Sequence, residues 1–156
     1  MRKIKILFVC HGNICRSPMA EFICKDYVKE LGISQQFHIE SAATSREEIG
    51  NPVYPPARKK LASVGISCQG KTARQVTRED YDRFDYLICM ENYNLRNITR
   101  IIPADPEGKI CRLLDFTGHP GDIDDPWYTG DFDTTYDEIL DGIKAFVVYL
   151  QQENRL

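Results

Sequence analysis

The chain has 156 residues, of which 42% are hydrophobic and 28% charged, proportions that suit one soluble domain over residues 1–156 with its own apolar core. Twenty basic against twenty-three acidic side chains leave a formal charge of −3, so no basic face is available for nucleic acid, and an anionic ligand would have to be drawn in by a local site. Six cysteines could be the framework of a small secreted protein, but the apolar run after the opening basic residues spans only 6–10, too short for a signal peptide. The apolar run at 145–150 is too short to span a bilayer. The expectation is a reducing cytoplasm, free thiols and no membrane partner.

In chain order, residues 4–9 form a compact apolar run suited to a buried strand. Ser17 followed by Pro18 reads as a helix start, a hydroxyl cap and then a proline whose missing N–H costs nothing there. That helix should run to about Leu31, stop at Gly32 and bury Ala20, Ile23, Cys24, Tyr27 and Leu31. Residues 37–41 read as a second strand, 55–64 as a helix stopped by Gly65, and 77–81 as a short helix. A strand at 84–90, a helix at 92–101 and a fourth strand at 110–114 follow. Tyr136, Ile139, Leu140, Ile143, Phe146, Val147 and Leu150 form the stripe of a last helix, capped by Asp133 or Thr134. The alternation predicts an α/β fold: a parallel four-stranded sheet with helices on both faces. Ligands then bind beyond the carboxyl ends of the strands, and the loop after the first strand is the first place to look.

That loop reads Cys10-His11-Gly12-Asn13-Ile14-Cys15-Arg16-Ser17. Successive N–H groups in a turn between strand and helix converge on an anion, and the helix start adds partial positive charge. Gly12 and Asn13 tolerate the backbone angles of such a curl, and Arg16 offers a planar fork for two phosphate oxygens. The same groups favour the thiolate of Cys10, the reactive form of a nucleophile. Ser17 can cap the helix, donate to the sulfur, or do both. Read blandly, Cys10 is the buried end of a strand.

Phosphoryl transfer to sulfur needs a proton for the leaving oxygen, and a carboxylic acid on a loop can supply it. The segment Gly121-Asp122-Ile123-Asp124-Asp125-Pro126-Trp127-Tyr128 should reach the same sheet edge as the Cys10 loop. Pro126 stiffens the chain after Asp125, and Trp127 and Tyr128 can wall an aromatic slot. Taken alone, this segment reads first as a solvated acidic turn; the Cys10 loop reverses that reading.

With both segments in view, the chain resembles the low-molecular-weight protein tyrosine phosphatases along its whole length. Residues 10–17 are similar to the signature loop of that family, and Asp125-Pro126-Trp127-Tyr128 is similar to its acid loop. Residues 41–45, Ala73-Arg74-Gln75, Phe84-Asp85-Tyr86 and Met90-Glu91 add support. The resemblance implies a phosphotyrosine phosphatase I-like, Rossmann-like fold and hydrolysis of phosphotyrosine proteins or small aryl phosphates, with inorganic phosphate as product. It implies that Cys10 attacks phosphorus, that Arg16 and the loop amides hold the phosphoryl group, and that Asp125 serves as acid and then as base. His11, Gly12, Asn13, Ile14 and Cys15 belong to the loop, with Asn13 bracing it and Ser41 sharing that network. It implies no metal and no cofactor. Cys15 is either a disulfide partner for Cys10 under oxidation or an inert packed thiol.

Three departures from the family pattern stand out. Glu47 occupies a place where many members have an aromatic residue lining the slot, and is read either as a solvated loop charge or as a selector for basic flanking residues. Lys71 stands where many members have a supporting histidine, and Glu91 where an aspartate is usual. Two rival activities on the same fold are a protein-arginine phosphatase, whose relatives tend to carry threonine in place of Ile14, and a thioredoxin-coupled arsenate reductase. The latter needs two further relay cysteines, which Cys68, Cys89 and Cys111 do not supply by their spacing. A phosphate-sensing module without turnover is the reading of a different class. His38 and His119 have no partner cysteines at metal-ligand spacing.

Overall fold

The run Ile4–Cys10 forms β1, and every residue in it except Lys5 is buried, because helices cover the sheet on both sides. Its side chains alternate. Ile4, Ile6, Phe8 and Cys10 enter one apolar cluster, while Leu7 and Val9 enter another on the opposite face. The computed structural model describes residues 2–156.

Four strands lie parallel in the order β2-β1-β3-β4, with β2 at Phe37–Ala43, β3 at Tyr86–Cys89 and β4 at Ile110–Arg112. The register sets Cys10 opposite Ala43, and Val9 opposite both Ala42 and Cys89, so three strands end together beside the loop after β1. The helices are α1 (Arg16–Glu30), α2 (Pro55–Ser63), α3 (Glu79–Arg83), α4 (Asn92–Ile98), α5 (Pro126–Thr129) and α6 (Phe132–Gln152). Residues from α1, α2 and α6 pack on the face of Phe8 and Ile88, while Tyr81 of α3 and Ile98 of α4 pack on the face of Leu7 and Leu87. Both faces of a four-stranded parallel sheet are therefore covered, as the alternation predicts.

The differences from the sequence reading are local. The first helix begins at Arg16, one residue before Ser17, and no side chain caps it. Ser17 lies inside the first turn, so its hydroxyl serves the site and not the helix end. Leu31 is 45% exposed, because the helix ends at Glu30 and Gly32 turns the chain with φ +74; Val28 takes its place in the core. The second strand extends to Ala43, where the bridge from Ala43 to Gln75 continues the pairing. The fourth strand stops at Arg112, and Leu113–Phe116 tightens into a 3-10 turn under α6. The last helix is capped by Asp131, not by Asp133 or Thr134: Gly130 closes α5 in the left-handed region, leaving the Asp131 side chain free to accept from Thr134 N–H at 2.9 Å.

Candidate active site

The loop from Cys10 to Arg16 curls around the Cys10 sulfur. The N–H groups of Asn13 and Ser17 point at Sγ from 3.3 and 3.4 Å. Asn13 supplies the curl with φ 59, a left-handed angle that asparagine tolerates better than most residues. Its side chain locks that conformation: Nδ2 donates to Ser17 Oγ at 2.7 Å and to Ser41 Oγ at 3.0 Å, and Oδ1 accepts from Arg74 N–H at 3.2 Å. Ser17 Oγ sits 3.0 Å from Cys10 Sγ. That oxygen accepts from Asn13 and from the Cys10 thiol and donates to the Ala42 carbonyl at 3.4 Å; once Cys10 is a thiolate, which can only accept, the same hydroxyl can turn its proton to the sulfur.

Arg16 is 1% exposed, a buried cation that needs partners. Nη1 is bound by the Glu91 carboxylate and donates to Ile123 carbonyl oxygen at 2.8 Å; Nη2 lies 3.3 Å from Asp125 Oδ2. Burial works against the charge, but Cys10, Asp125 and Glu91 outweigh it and hold the pKa of Arg16 above its ordinary value. Glu91 is itself fixed by a capping box with Asn94 at the start of α4. Asp125 is placed by Pro126 at the start of α5, where its carboxylate also accepts from Trp127 N–H at 3.0 Å.

Cys10, Arg16 and Asp125 line one open cavity of about 390 Å³. His11, Gly12, Ile14, Cys15, Glu47, Trp127 and Tyr128 line it as well. Asn13, Ser17 and Ser41 stand behind it. Trp127 packs on Tyr54 with ring centroids 4.6 Å apart, and Tyr128 is 84% exposed at the rim. The ring of His11 bonds to the Glu47 carboxylate, so that histidine ties the loop to the cavity wall rather than pointing freely into solvent. Burial first, and the neighbouring Cys10 and Asp125 next, push the Cys15 thiol far up, so it stays protonated beside Cys10.

The family model for low molecular weight phosphotyrosine protein phosphatase matches residues 5–156. The chain belongs to that phosphatase family. The low molecular weight protein-tyrosine-phosphatase YfkJ of Bacillus subtilis is 37% identical over 155 residues, covering 98% of this chain and 99% of that protein. The crystal structure of YfkJ superposes with a TM-score of 0.93 over 98% of both chains. The low molecular weight phosphotyrosine protein phosphatase of Rattus norvegicus is 39% identical over 150 residues, covering 91% of this chain and 92% of that one. A Drosophila arginine phosphatase of known structure is 29% identical, with a TM-score of 0.84 over 94% of this chain and 97% of that one.

Within this family fold, several groups of the site had no role assigned to them from the sequence. Glu48 lines the cavity beside Glu47; Glu91 and the Ile123 carbonyl hold Arg16; Glu21 accepts from Ser41 at 2.6 Å. A glutamate in a helix or loop carries no spacing signal of its own, and a backbone carbonyl carries none at all. Lys71 joins the same network: its ammonium donates to the Ser41 carbonyl at 2.9 Å and pairs with Glu21 at 3.4 Å.

Proposed function

We propose that this protein is a protein-tyrosine phosphatase that hydrolyses phosphotyrosine monoesters in two steps through a phosphocysteine on Cys10. The observation that carries the reading is the convergence on one cavity of the Cys10 sulfur, two loop N–H groups aimed at it, the Arg16 guanidinium and the Asp125 carboxyl. Membership of the phosphatase family and the names of its relatives support the substrate class.

In the first step Cys10 Sγ attacks phosphorus. The sulfur–phosphorus bond forms as the phosphorus–phenolate bond breaks, and Asp125 delivers its proton to the leaving oxygen. Arg16 and the loop N–H groups bind the three equatorial oxygens where negative charge is spread. In the second step Asp125 takes a proton from water, water attacks phosphorus, and Cys10 departs as a thiolate that Ser17 O–H stabilises. All of these roles fall to the chain's own residues. Glu47, Trp127 and Tyr128 form the wall against which the phenyl ring and its flanking residues rest. The phosphatase domain is the chain over residues 1–156.

A second reading, phosphoarginine as substrate, gains from the likeness to the Drosophila arginine phosphatase. Ile14 narrows the cavity with an apolar side chain and offers no hydroxyl to a guanidinium nitrogen. Arsenate reduction would need relay cysteines; Cys89 is wholly buried in β3, and burial holds its thiol protonated. A cytoplasmic setting suits six unpaired cysteines, and among the described residues no helix is long and apolar enough to cross a membrane. Turnover of phosphotyrosine, phosphoserine and phosphoarginine peptides by the purified protein tests the proposal. Preference for phosphotyrosine, abolished in Cys10→Ser, is the expected result; activity that survives Cys10→Ser overturns it.

A further inference from the structure

Asp125 reaches Arg16 from a loop with few fixed points. Between the 3-10 turn at Leu113–Phe116 and α5 the chain passes Gly118 and Gly121, where a missing side chain leaves the backbone free. Among the described residues, the stretch 118–124 is hydrogen-bonded to other elements at two adjacent positions. Ile123 N–H donates to the Met90 carbonyl at 2.9 Å, and the Ile123 carbonyl accepts from Arg16. Asp122 Oδ1 accepts from Asn92 N–H at 2.8 Å and from Arg112 Nη1 at 2.9 Å. Arg112 is in turn fixed by Asp115, whose carboxylate accepts from Nε at 3.2 Å and lies 3.0 Å from Nη2.

Asn92 is the residue after Glu91. Glu91 binds Nη1 of Arg16 from its capping box at the start of α4. The next residue of the same helix start holds the acid loop through Asp122. Two successive residues therefore carry the two partners of the 3.3 Å contact between Arg16 and Asp125, one from each side. A loop anchored there keeps the Asp125 carboxyl in register with the guanidinium, and so with the leaving oxygen of an ester whose phosphoryl group Arg16 binds. The Asp122 and Arg112 side chains are 43% and 24% exposed, and ion pairs so placed add little to stability. What the pair governs is where the loop sits, and not whether the chain folds.

We infer that Asp122 is a positioning residue for Asp125: by joining Asn92 N–H and the Arg112 guanidinium it holds the acid loop to the start of α4, where Arg16 is held as well. The inference rests on Asp125 being the general acid of the proposed reaction. A general acid matters most where the leaving group is poor. Phenolate needs a proton as its bond to phosphorus breaks, whereas dinitrophenolate leaves without one. A residue that only supports the fold would slow both esters alike.

The test compares kcat/KM of the intact protein for phenyl phosphate and for dinitrophenyl phosphate. Asp122→Ala is expected to lower the first about tenfold, short of the roughly hundredfold that a misplacement of about 1 Å can cost, and the second less than about twofold. The inhibition constant of inorganic phosphate and the midpoint of unfolding in urea should stay nearly unchanged. Asp122→Asn keeps an oxygen acceptor for Asn92 N–H and should retain kcat/KM for phenyl phosphate within about threefold of wild type. Arg112→Gln, which disturbs one of the two bonds, should show the same bias at smaller size, and it keeps the test open if Asp122→Ala fails to fold. Added to Asp125→Asn, Asp122→Ala should cost phenyl phosphate nothing further. Equal losses on the two esters, losses that multiply with Asp125→Asn, or an Asp122→Asn protein as slow as Asp122→Ala would each overturn the inference. Asp125→Asn without the leaving-group bias would sink the role of Asp125 itself, and this inference with it. Bias in Asp125→Asn and none in Asp122→Ala would leave that role standing and remove only this one.

Discussion

Asp125 and Arg16 meet at 3.3 Å, although one follows the last strand and the other follows the first. Their pairing puts the proposed proton donor against the phosphate-binding guanidinium before any substrate enters. Arg16 is held from its other nitrogen by Glu91 and the Ile123 carbonyl, so the fork is already oriented and a phosphoryl group has only Asp125 to displace. Replacing Asp125 by Asn keeps the shape and removes the proton. Turnover of an aryl phosphate should fall about 100-fold or more, with the inhibition constant of phosphate nearly unchanged. Steady-state kinetics with phosphate as competitor separates the two, and an equal loss of both would make Asp125 structural.

Glu47 stands at the cavity mouth with its side chain 67% exposed and bonded to His11. Its charge faces whatever flanks the phosphotyrosine. Glu47→Trp should lower the ratio of kcat/KM between phosphopeptides with basic and with acidic neighbours by about two- to fivefold, the range for an exposed ion pair. A ratio that does not move would return Glu47 to the status of a solvated loop charge.

Gly142 of α6 lies against Leu113 in the turn that follows β4. A Cβ built there would lie 2.5 Å from Leu113 Cγ, and Leu113 is wholly buried. Alanine is the better helix former by about 1 kcal/mol, but the clash reverses the sign. Gly142→Ala should destabilise the fold by about 1–3 kcal/mol, read as a lower midpoint in urea with an unchanged slope.

Glu40 gives the fold a specific acid sensitivity. Partial burial works against its charge, but the hydrogen bond from His38 and the guanidinium of Arg74 prevail and hold its carboxyl below the ordinary glutamate value of 4.5. The unfolded chain therefore binds the proton more readily than the native one, so stability rises with pH across that interval. The contribution is complete above the unfolded value and disappears as pH falls through the folded one. Urea unfolding of wild type and Glu40→Gln should differ at neutral pH and converge in the acid range; a gap that widens on acidification would contradict the sign.

The apolar run of β1, the stripe of α6 and the glycine stops at Gly32 and Gly65 act within a few residues, and so the sheet and most helices were legible from local periodicity. The spacing of Cys10 and Arg16 is equally local: one loop, one turn of helix, and the geometry follows from backbone stereochemistry around Asn13. Even the acid loop could be anticipated, because parallel strands deliver their following loops to one edge.

What only the folded chain decided is the set of partners that meet across the sheet. Ser17 reads as a helix cap, a partner of the sulfur, or both, until the register of β2 brings Ser41 and the Ala42 carbonyl beside it and its hydroxyl meets Cys10 instead of capping the helix. Glu21 is an ordinary charged residue in the sequence, and Lys71 and Glu91 register there only as departures from the family pattern; all three become supports of the site because burial removes water and leaves them only one another and their neighbours to bind. Local pattern fixes backbone shape through steric limits that act between adjacent residues. The pairing of buried charges depends on distances between remote segments, which packing alone sets.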